Sequence, residues 1–155
     1  RPYRILCFGD SVTAGYHSKG REFAPYSKTL CEEINAAGSA CVITTCGSVG
    51  LTAAQFVESL KSPVVKDMLG RLRKGLGRIL DEDGPQDIVI LMVGTNDIGK
   101  HLGVEPTLAN VKRLQRACQD KGVPIVLLSP PHITTGVIRD NRNHLRRVLE
   151  AWASQ

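Results

Sequence analysis

Continuous hydrophobic runs alternate along the chain with segments whose apolar residues recur at helical spacing. The runs at residues 5–8 and 88–93 show no alternation of polar positions, which is typical of strands covered on both faces. Shorter runs at residues 41–45 and 124–128 have the composition of two further strands. The pattern therefore predicts four strands.

The segments between these runs have the spacing of amphipathic helices. Predicted helices begin at Pro25 and end near Gly38, cover residues 51–60 and 64–80, begin at Pro106 and end near Gly122, and close the chain around Leu145, Val148, Leu149 and Trp152. Glycines at positions 70, 75 and 77 weaken the helix over residues 64–80. Strands that alternate with helices predict a three-layer α/β/α fold, in which right-handed crossovers place helices on both faces of a mostly parallel sheet.

Length and charge limit the number of domains and the classes of partner that the chain could bind. A chain of 155 residues with 42% hydrophobic content predicts one domain spanning residues 1–155. The net charge is +5, but the basic residues are interspersed with acidic ones along the chain. Nucleic-acid binding is therefore not predicted. No apolar run is long enough to span a bilayer, and the first residues lack a signal-peptide pattern, which favours a cytoplasmic location unless a leader was removed.

The five cysteines do not suggest a disulfide framework or a metal site. Cys7 lies in a strand run, and Cys31 and Cys118 lie in helical patterns. These positions predict free, buried thiols in a reducing compartment. The chain has no CxxC pair, Cys/His cluster or HExxH motif, so no metal is predicted.

Two short motifs carry the candidate chemistry, because each directly follows a predicted strand. They are Gly-Asp-Ser at residues 9–11 and Gly-Thr-Asn-Asp at residues 94–97. The carboxyl ends of parallel strands meet at one edge of a sheet, where ligands bind. The Ser11 hydroxyl is suited to attack a carbonyl carbon once a base has taken its proton. The N–H groups of Ser11 and Gly50 and the side-chain amide of Asn96 are suited to stabilise the oxygen that becomes negative.

Three segments resemble the sequence blocks of the GDSL or SGNH hydrolases. Residues 5–15, ILCFGDSVTAG, are similar to the first block, which contains the nucleophilic serine. Residues 42–52, VITTCGSVGLT, are similar to the second block, whose glycine N–H lines the oxyanion hole. Residues 93–97, VGTND, match the third block, which supplies the oxyanion-hole asparagine.

This resemblance implies an SGNH-hydrolase, flavodoxin-like topology and a serine esterase or lipase. The implied substrate is a small-molecule carboxylic ester, with a small acyl, aryl, lipid or sugar-acetyl group, and no cofactor is implied. The resemblance assigns the nucleophile to Ser11 and the oxyanion hole to Ser11, Gly50 and Asn96.

The fourth block of this family, D-x-x-H, does not occur in the chain. The resemblance therefore predicts that residues 1–155 end before this block and that the sheet lacks its last strand. A sheet without its last strand predicts an exposed edge and an apolar patch, through which copies of the chain would associate.

Four histidines are the alternative sources of a catalytic base. His132 follows the fourth strand, at the correct edge of the sheet, and His144 shares a predicted helix face with Asp140. His17 and His101 are predicted to be surface residues in loops. If no base is present, the chain is instead a non-catalytic binding or interaction domain that keeps the pocket.

Overall fold

The computed structural model describes residues 1–17, 22–131 and 136–154, except for the side chains of residues 137 and 138. Its strands are β1 (Tyr3–Gly9), β2 (Tyr16–His17), β3 (Glu22–Phe23), β4 (Cys41–Gly47), β5 (Val65–Lys66), β6 (Leu72–Arg73), β7 (Ile88–Met92) and β8 (Ile125–Leu127). Its helices are α1 (Ser11–Ala14), α2 (Tyr26–Ala36), α3 (Ala53–Glu58), α4 (Leu76–Glu82), α5 (Thr95–Gly99), α6 (Val104–Gln119) and α7 (Gly136–Ala153).

Four parallel strands form the central sheet, in the order β4, β1, β7 and β8. The inner strand β1 pairs with β4 on one side and with β7 on the other. Its last residue, Gly9, is level with Gly47 of β4 and with Met92 of β7. The predicted parallel sheet is confirmed, and the segments that follow β1, β4 and β7 leave the sheet at the same edge.

Helices cover both faces of this sheet. On one face, Leu6 and Phe8 of β1 belong to a core formed with α3, α4, α6 and α7, and the rings of Phe8 and Phe56 are 5.2 Å apart. On the other face, α2 packs against β4, where the hydroxyls of Ser27 and Thr45 are 2.6 Å apart. Because successive residues of a strand point to opposite faces, these contacts confirm the predicted three layers.

Most predicted elements are present, with bounds that differ by a few residues. The four predicted strands correspond to β1, β4, β7 and β8, and four of the predicted helices correspond to α2, α3, α6 and α7. The helix predicted over residues 64–80 is wrong. The chain instead forms an antiparallel hairpin of β5 and β6, followed by the short helix α4.

The buried carboxylate of Asp67 explains this difference. Its side chain is 0% exposed and accepts hydrogen bonds from the backbone N–H groups of Leu69 (3.0 Å) and Arg71 (2.9 Å). The Arg71 guanidinium also pairs with it at 2.8 Å. These local bonds offer the backbone an alternative to the helix, and Gly70 supports the turn with a φ of +77°.

Part of the apolar face predicted for that helix is exposed instead. Met68 is 71% exposed and Leu72 is 60% exposed, whereas Leu76 and Ile79 are buried in α4. The apolar residues between positions 68 and 72 therefore do not pack into the core, and the buried pairing of Asp67 with Arg71 determines the local structure.

The cysteines divide into two classes. Cys7, Cys46 and Cys118 are buried, and burial raises the pKa of each of these thiols. Cys31 and Cys41 are only partly buried, so the prediction of a buried thiol is wrong for Cys31.

Across the described residues, no helix has both the length and the apolar character needed to cross a membrane.

We expect Asp67→Asn to destabilise the fold by about 2–4 kcal/mol, because it leaves the Arg71 charge without its buried partner. Burial raises the pKa of Asp67, but hydrogen bonds from Val49 and Arg71 outweigh burial and hold that pKa below its usual range. A carboxyl group whose pKa is lower in the folded state stabilises the protein at pH values above its unfolded-state pKa of about 4. This contribution is lost as the pH falls through the folded-state pKa.

Urea unfolding at several pH values measures this effect. The difference in free energy of unfolding between wild type and Asp67→Asn should be largest at neutral pH and should decrease below about pH 4. The matched control is Asp81→Asn, which removes only exposed ion pairs with Lys61 and Lys121 and should cost much less. Equal losses for the two variants at neutral pH would contradict the prediction.

Candidate active site

Hydrogen bonds join the motif segments where they leave the sheet. The N–H of Ser48 donates to the carbonyl of Gly9 at 2.9 Å, and the N–H of Asp10 donates to the carbonyl of Met92 at 3.2 Å. The segments after β1, β4 and β7 are therefore tied to one another within one residue of the strand ends. The structure brings together the regions that carry Ser11, Gly50 and Asn96.

Ser11 is the first residue of α1, the short helix that follows β1. The Asp10 carboxylate caps this helix by accepting the N–H of Val12 at 3.0 Å. At Gly47, an added Cβ would lie 2.2 Å from the backbone nitrogen of Ala14, so only glycine lets α1 pack this closely against β4. The cap and this close packing fix the position of Ser11 at the sheet edge.

Gly50 lies in the loop of residues 47–50 and has a φ of +81°, a backbone conformation that strongly favours glycine. No described residue accepts a hydrogen bond from the N–H of Gly50 or from the N–H of Ser11. The carbonyl of Gly50 accepts a hydrogen bond from the Lys100 ammonium at 3.3 Å. Two backbone donors at this edge are thus free of protein partners in the described chain.

Asn96 is in the first turn of α5, the helix that follows β7. Its amide nitrogen donates to the carbonyl of Leu51 at 2.8 Å, which fixes the side chain beside the residue that follows Gly50. An amide nitrogen carries two hydrogens, so one of them remains available. The neighbouring Asp97 accepts the N–H of Ala53 at 2.9 and 3.2 Å and so links α5 to the start of α3.

Two buried carboxyl groups lie beneath these donors. Asp10 is 0% exposed and Asp97 is 2% exposed. Burial raises the pKa of both groups above their usual range, although hydrogen bonds from Val12 to Asp10 and from Ala53 to Asp97 oppose that shift. Each accepts a backbone N–H, so both serve to position the loops.

The β5–β6 hairpin holds the 47–50 loop from outside the sheet. The N–H of Val49 donates to Asp67 at 3.1 Å, and the carbonyl of Val49 accepts the N–H of Met68 at 3.1 Å. Arg71 donates to the carbonyl of Gly47 at 3.0 Å and also lies 4.1 Å from the ring centroid of Phe23. Sequence reasoning missed this support because Arg71 lies within the helix predicted over residues 64–80, although the nearby glycines were a signal against that helix.

A cavity of about 300 Å³ opens beside Ser11. Its lining residues are Ser11, Val12, Gly15, Tyr16, His17 and Ala24. His17, interpreted from the sequence as a surface residue, is thus on the wall of this cavity; its side chain is 44% exposed and lies 3.7 Å from the Glu22 carboxylate. A larger cavity of about 590 Å³, between α6, β8 and α7, contains none of the motif residues.

The other histidines lie elsewhere or outside the described residues. His101 is exposed after α5, and His144 is exposed on α7. His132 lies outside the described residues, so its predicted role stays a prediction. Within residues 1–17, 22–131 and 136–154, no three His, Cys, Asp or Glu side chains are grouped closely enough to hold a metal ion.

Comparison with solved structures shows the same fold in several esterases. The structure matches a carbohydrate acetylesterase family member from Sinorhizobium meliloti with a TM-score of 0.73 and 19% identity, over 98% of this chain and 78% of that chain. It matches the SGNH-hydrolase family esterase AlinE4 with a TM-score of 0.70 and 22% identity, over 97% and 72% of the two chains. The inhibitor-bound aryl esterase of M. smegmatis matches with a TM-score of 0.71 and 22% identity, over 98% and 80%.

Comparison of the sequence with protein families identifies the chain more directly. No curated protein matches it. The model of the GDSL-like lipase/acylhydrolase family matches residues 7–155, which include Ser11, Gly50 and Asn96. The chain therefore belongs to the GDSL-like lipase/acylhydrolase family and is a hydrolase of the GDSL/SGNH type, a class that acts on small-molecule esters.

Proposed function

We propose that the protein hydrolyses a carboxylic ester through Ser11, and that the N–H groups of Ser11 and Gly50 and the amide of Asn96 form its oxyanion hole. The observation that carries this proposal is the pair of backbone N–H groups that follow the strand ends and have no partner among the described residues, next to the fixed Asn96 amide. Backbone donors without partners beside a hydroxyl are what a developing oxyanion requires.

The proposed chemistry follows from this arrangement. The Ser11 oxygen attacks the ester carbonyl carbon, its proton passes to a general base, and the carbonyl oxygen becomes an oxyanion held by the three donors. Collapse of this intermediate expels the alcohol and leaves an acyl group on Ser11, which water then removes. Each donor is worth about 3 kcal/mol in comparable sites, because it is fixed in place before the charge develops.

The cavity beside Ser11 supports a small substrate. Its volume of about 300 Å³ is at the lower end of the range for ligand pockets. Tyr16 and Ala24 give its wall apolar surface, which suits a short acyl or aryl group. A p-nitrophenyl acetate ester is therefore a suitable probe.

We expect Ser11→Ala to abolish turnover of p-nitrophenyl acetate, with a loss of roughly 10³-fold or more, because the nucleophile is removed. A fluorophosphonate probe should label the wild type at Ser11, as measured by peptide mass spectrometry, and should not label the variant. Ser39→Ala is the matched control, since Ser39 is exposed at the opposite end of the sheet. Turnover that survives Ser11→Ala, or labelling at another residue, would contradict the proposal.

The same assay tests the role of His17. His17 lies on the wall of the cavity, 3.7 Å from the Glu22 carboxylate, and we infer that it lines the cavity and is not the base. His17→Asn should therefore keep turnover within a fewfold of wild type. A loss as large as that of Ser11→Ala would instead assign the base to His17. If the wild type shows no turnover above the uncatalysed rate and no residue is labelled, the non-catalytic binding domain is the better description.

We expect Asn96→Ala to lower kcat by about 10²–10³-fold with a small change in KM, because the amide acts on the oxyanion more than on the bound ester. Steady-state kinetics with p-nitrophenyl acetate measure both values. Asn110→Ala is the control, since the Asn110 amide donates to the carbonyl of Pro106 on an exposed helix face. A change in KM alone would argue against an oxyanion role.

We also propose that the chain self-associates through β8, an edge strand of the central sheet. The edge strand β8 exposes Val126 to 41%, and an unpaired strand edge can accept a strand from a second copy. Light scattering should show a mass above that of the monomer, and Val126→Lys should lower it because a charged edge opposes pairing. A monomeric wild type at high concentration would contradict this proposal.

A further inference from the structure

Two of the five cysteines face each other at the end of the sheet opposite the candidate active site. Cys31 lies on α2 and Cys41 is the first residue of β4, and their Sγ atoms are 3.3 Å apart. Each sulfur also lies near the other residue's carbonyl oxygen, at 3.8 and 3.9 Å. The two side chains therefore point at one another between the helix and the strand.

The surrounding contacts fix the two backbones in this position. One helical turn before Cys31, the hydroxyl of Ser27 is 2.6 Å from that of Thr45, further along β4. The Asn35 amide spans the same gap, since it donates to the Cys31 sulfur at 3.5 Å and accepts the N–H of Cys41 at 3.4 Å. The packing of α2 on β4 thus holds the two sulfurs together in the folded protein.

Exposure makes this pair the accessible one. Cys31 and Cys41 are partly exposed, whereas Cys7 and Cys118 are 0% exposed and Cys46 is 4% exposed. A soluble oxidant therefore meets Cys31 and Cys41 before it meets the other three thiols.

We propose that Cys31 and Cys41 form a disulfide bond that ties α2 to β4 in the presence of a small-molecule disulfide such as oxidised glutathione. The sulfurs need only close from 3.3 Å to the bond length of about 2.05 Å. The bond replaces a close contact that the fold already makes, so the backbone keeps its position.

The exchange proceeds in two balanced steps. The Cys31 thiolate attacks one sulfur of oxidised glutathione, which forms a mixed disulfide and releases one glutathione thiolate. The Cys41 thiolate then attacks the Cys31 sulfur, which forms the protein disulfide and releases the second glutathione. The two cysteines lose two protons and two electrons, and the glutathione disulfide is reduced to two thiols. Burial and the neighbouring Cys31 thiol raise the pKa of Cys41.

The bond should stabilise the protein without changing its chemistry. A link between residues 31 and 41 restricts the unfolded chain, and the folded chain already holds the sulfurs in contact. The pair lies at the start of β4, and Gly47 and the site lie at its end. We therefore expect the midpoint of thermal unfolding to rise by roughly 5–10 °C on oxidation.

The test incubates the native chain with oxidised glutathione, blocks remaining thiols and digests with a glutamate-specific protease. Cleavage after Glu32 or Glu33 separates Cys31 from Cys41, which stays on one peptide with Cys46. Fragmentation of the linked peptides by tandem mass spectrometry then identifies which of the two is bonded to Cys31. The expected result is that link together with the rise in unfolding midpoint and its reversal by dithiothreitol. Cys41→Ser is the control: it should show a single glutathione adduct at Cys31 and no rise.

Other outcomes would overturn the proposal. Recovery of Cys31 and Cys41 as free thiols, or as two separate glutathione adducts, would show that the sulfurs do not join in the folded chain. A link from Cys31 to Cys46 that persists in Cys41→Ser would assign the bond to another pair. These measurements need no ester hydrolysis, so they stand whether or not Ser11 is the nucleophile.

Discussion

The pairing of β1 with both β4 and β7 is the constraint on which the rest of the structure depends. Parallel pairing places Gly9, Gly47 and Met92 level with one another, and the hydrogen bonds from Ser48 to Gly9 and from Asp10 to Met92 continue it one residue past the strands. Residues far apart in the chain therefore meet at one edge without a long loop to bring them there. Every part of the candidate site starts from these strand ends.

Buried carboxylates fix the conformation of the loops at this edge of the sheet. A buried charge is costly unless hydrogen bonds satisfy it, and the backbone N–H groups of irregular loops need acceptors when water is excluded. Asp97 accepts the N–H of Ala53, and Asp67 accepts that of Val49, so the segment that follows β4 is held by side chains from two other segments. Among the described residues, no partner accepts the N–H groups of Ser11 and Gly50, while their neighbours are fixed. The proposed oxyanion hole requires donors that are held in this way before charge develops.

The parts of the fold that the sequence predicted well are those governed by local burial. A strand covered on both faces must be apolar along its length, so the runs before Gly9 and Gly94 were clear in the sequence. The segment around Asp67 was predicted wrongly because its apolar spacing has a helical period, while its structure depends on a carboxylate that binds Arg71 and the 47–50 loop. The spacing of apolar residues does not reveal this pairing, because its groups come close to one another only when the rest of the chain has folded.

The sequence by itself determined the order of the four sheet strands and of α2, α3, α6 and α7, the family and the residues that carry the candidate chemistry. The reason is that apolar runs fix the element type and the short motifs after them fix the functional group. Tertiary structure decided which donors at the strand ends lack partners among the described residues, how the β5–β6 hairpin supports the 47–50 loop, and that Cys31 faces Cys41. These features depend on distances between segments, which the chain acquires only when β1 is paired on both sides and the helices pack against the sheet.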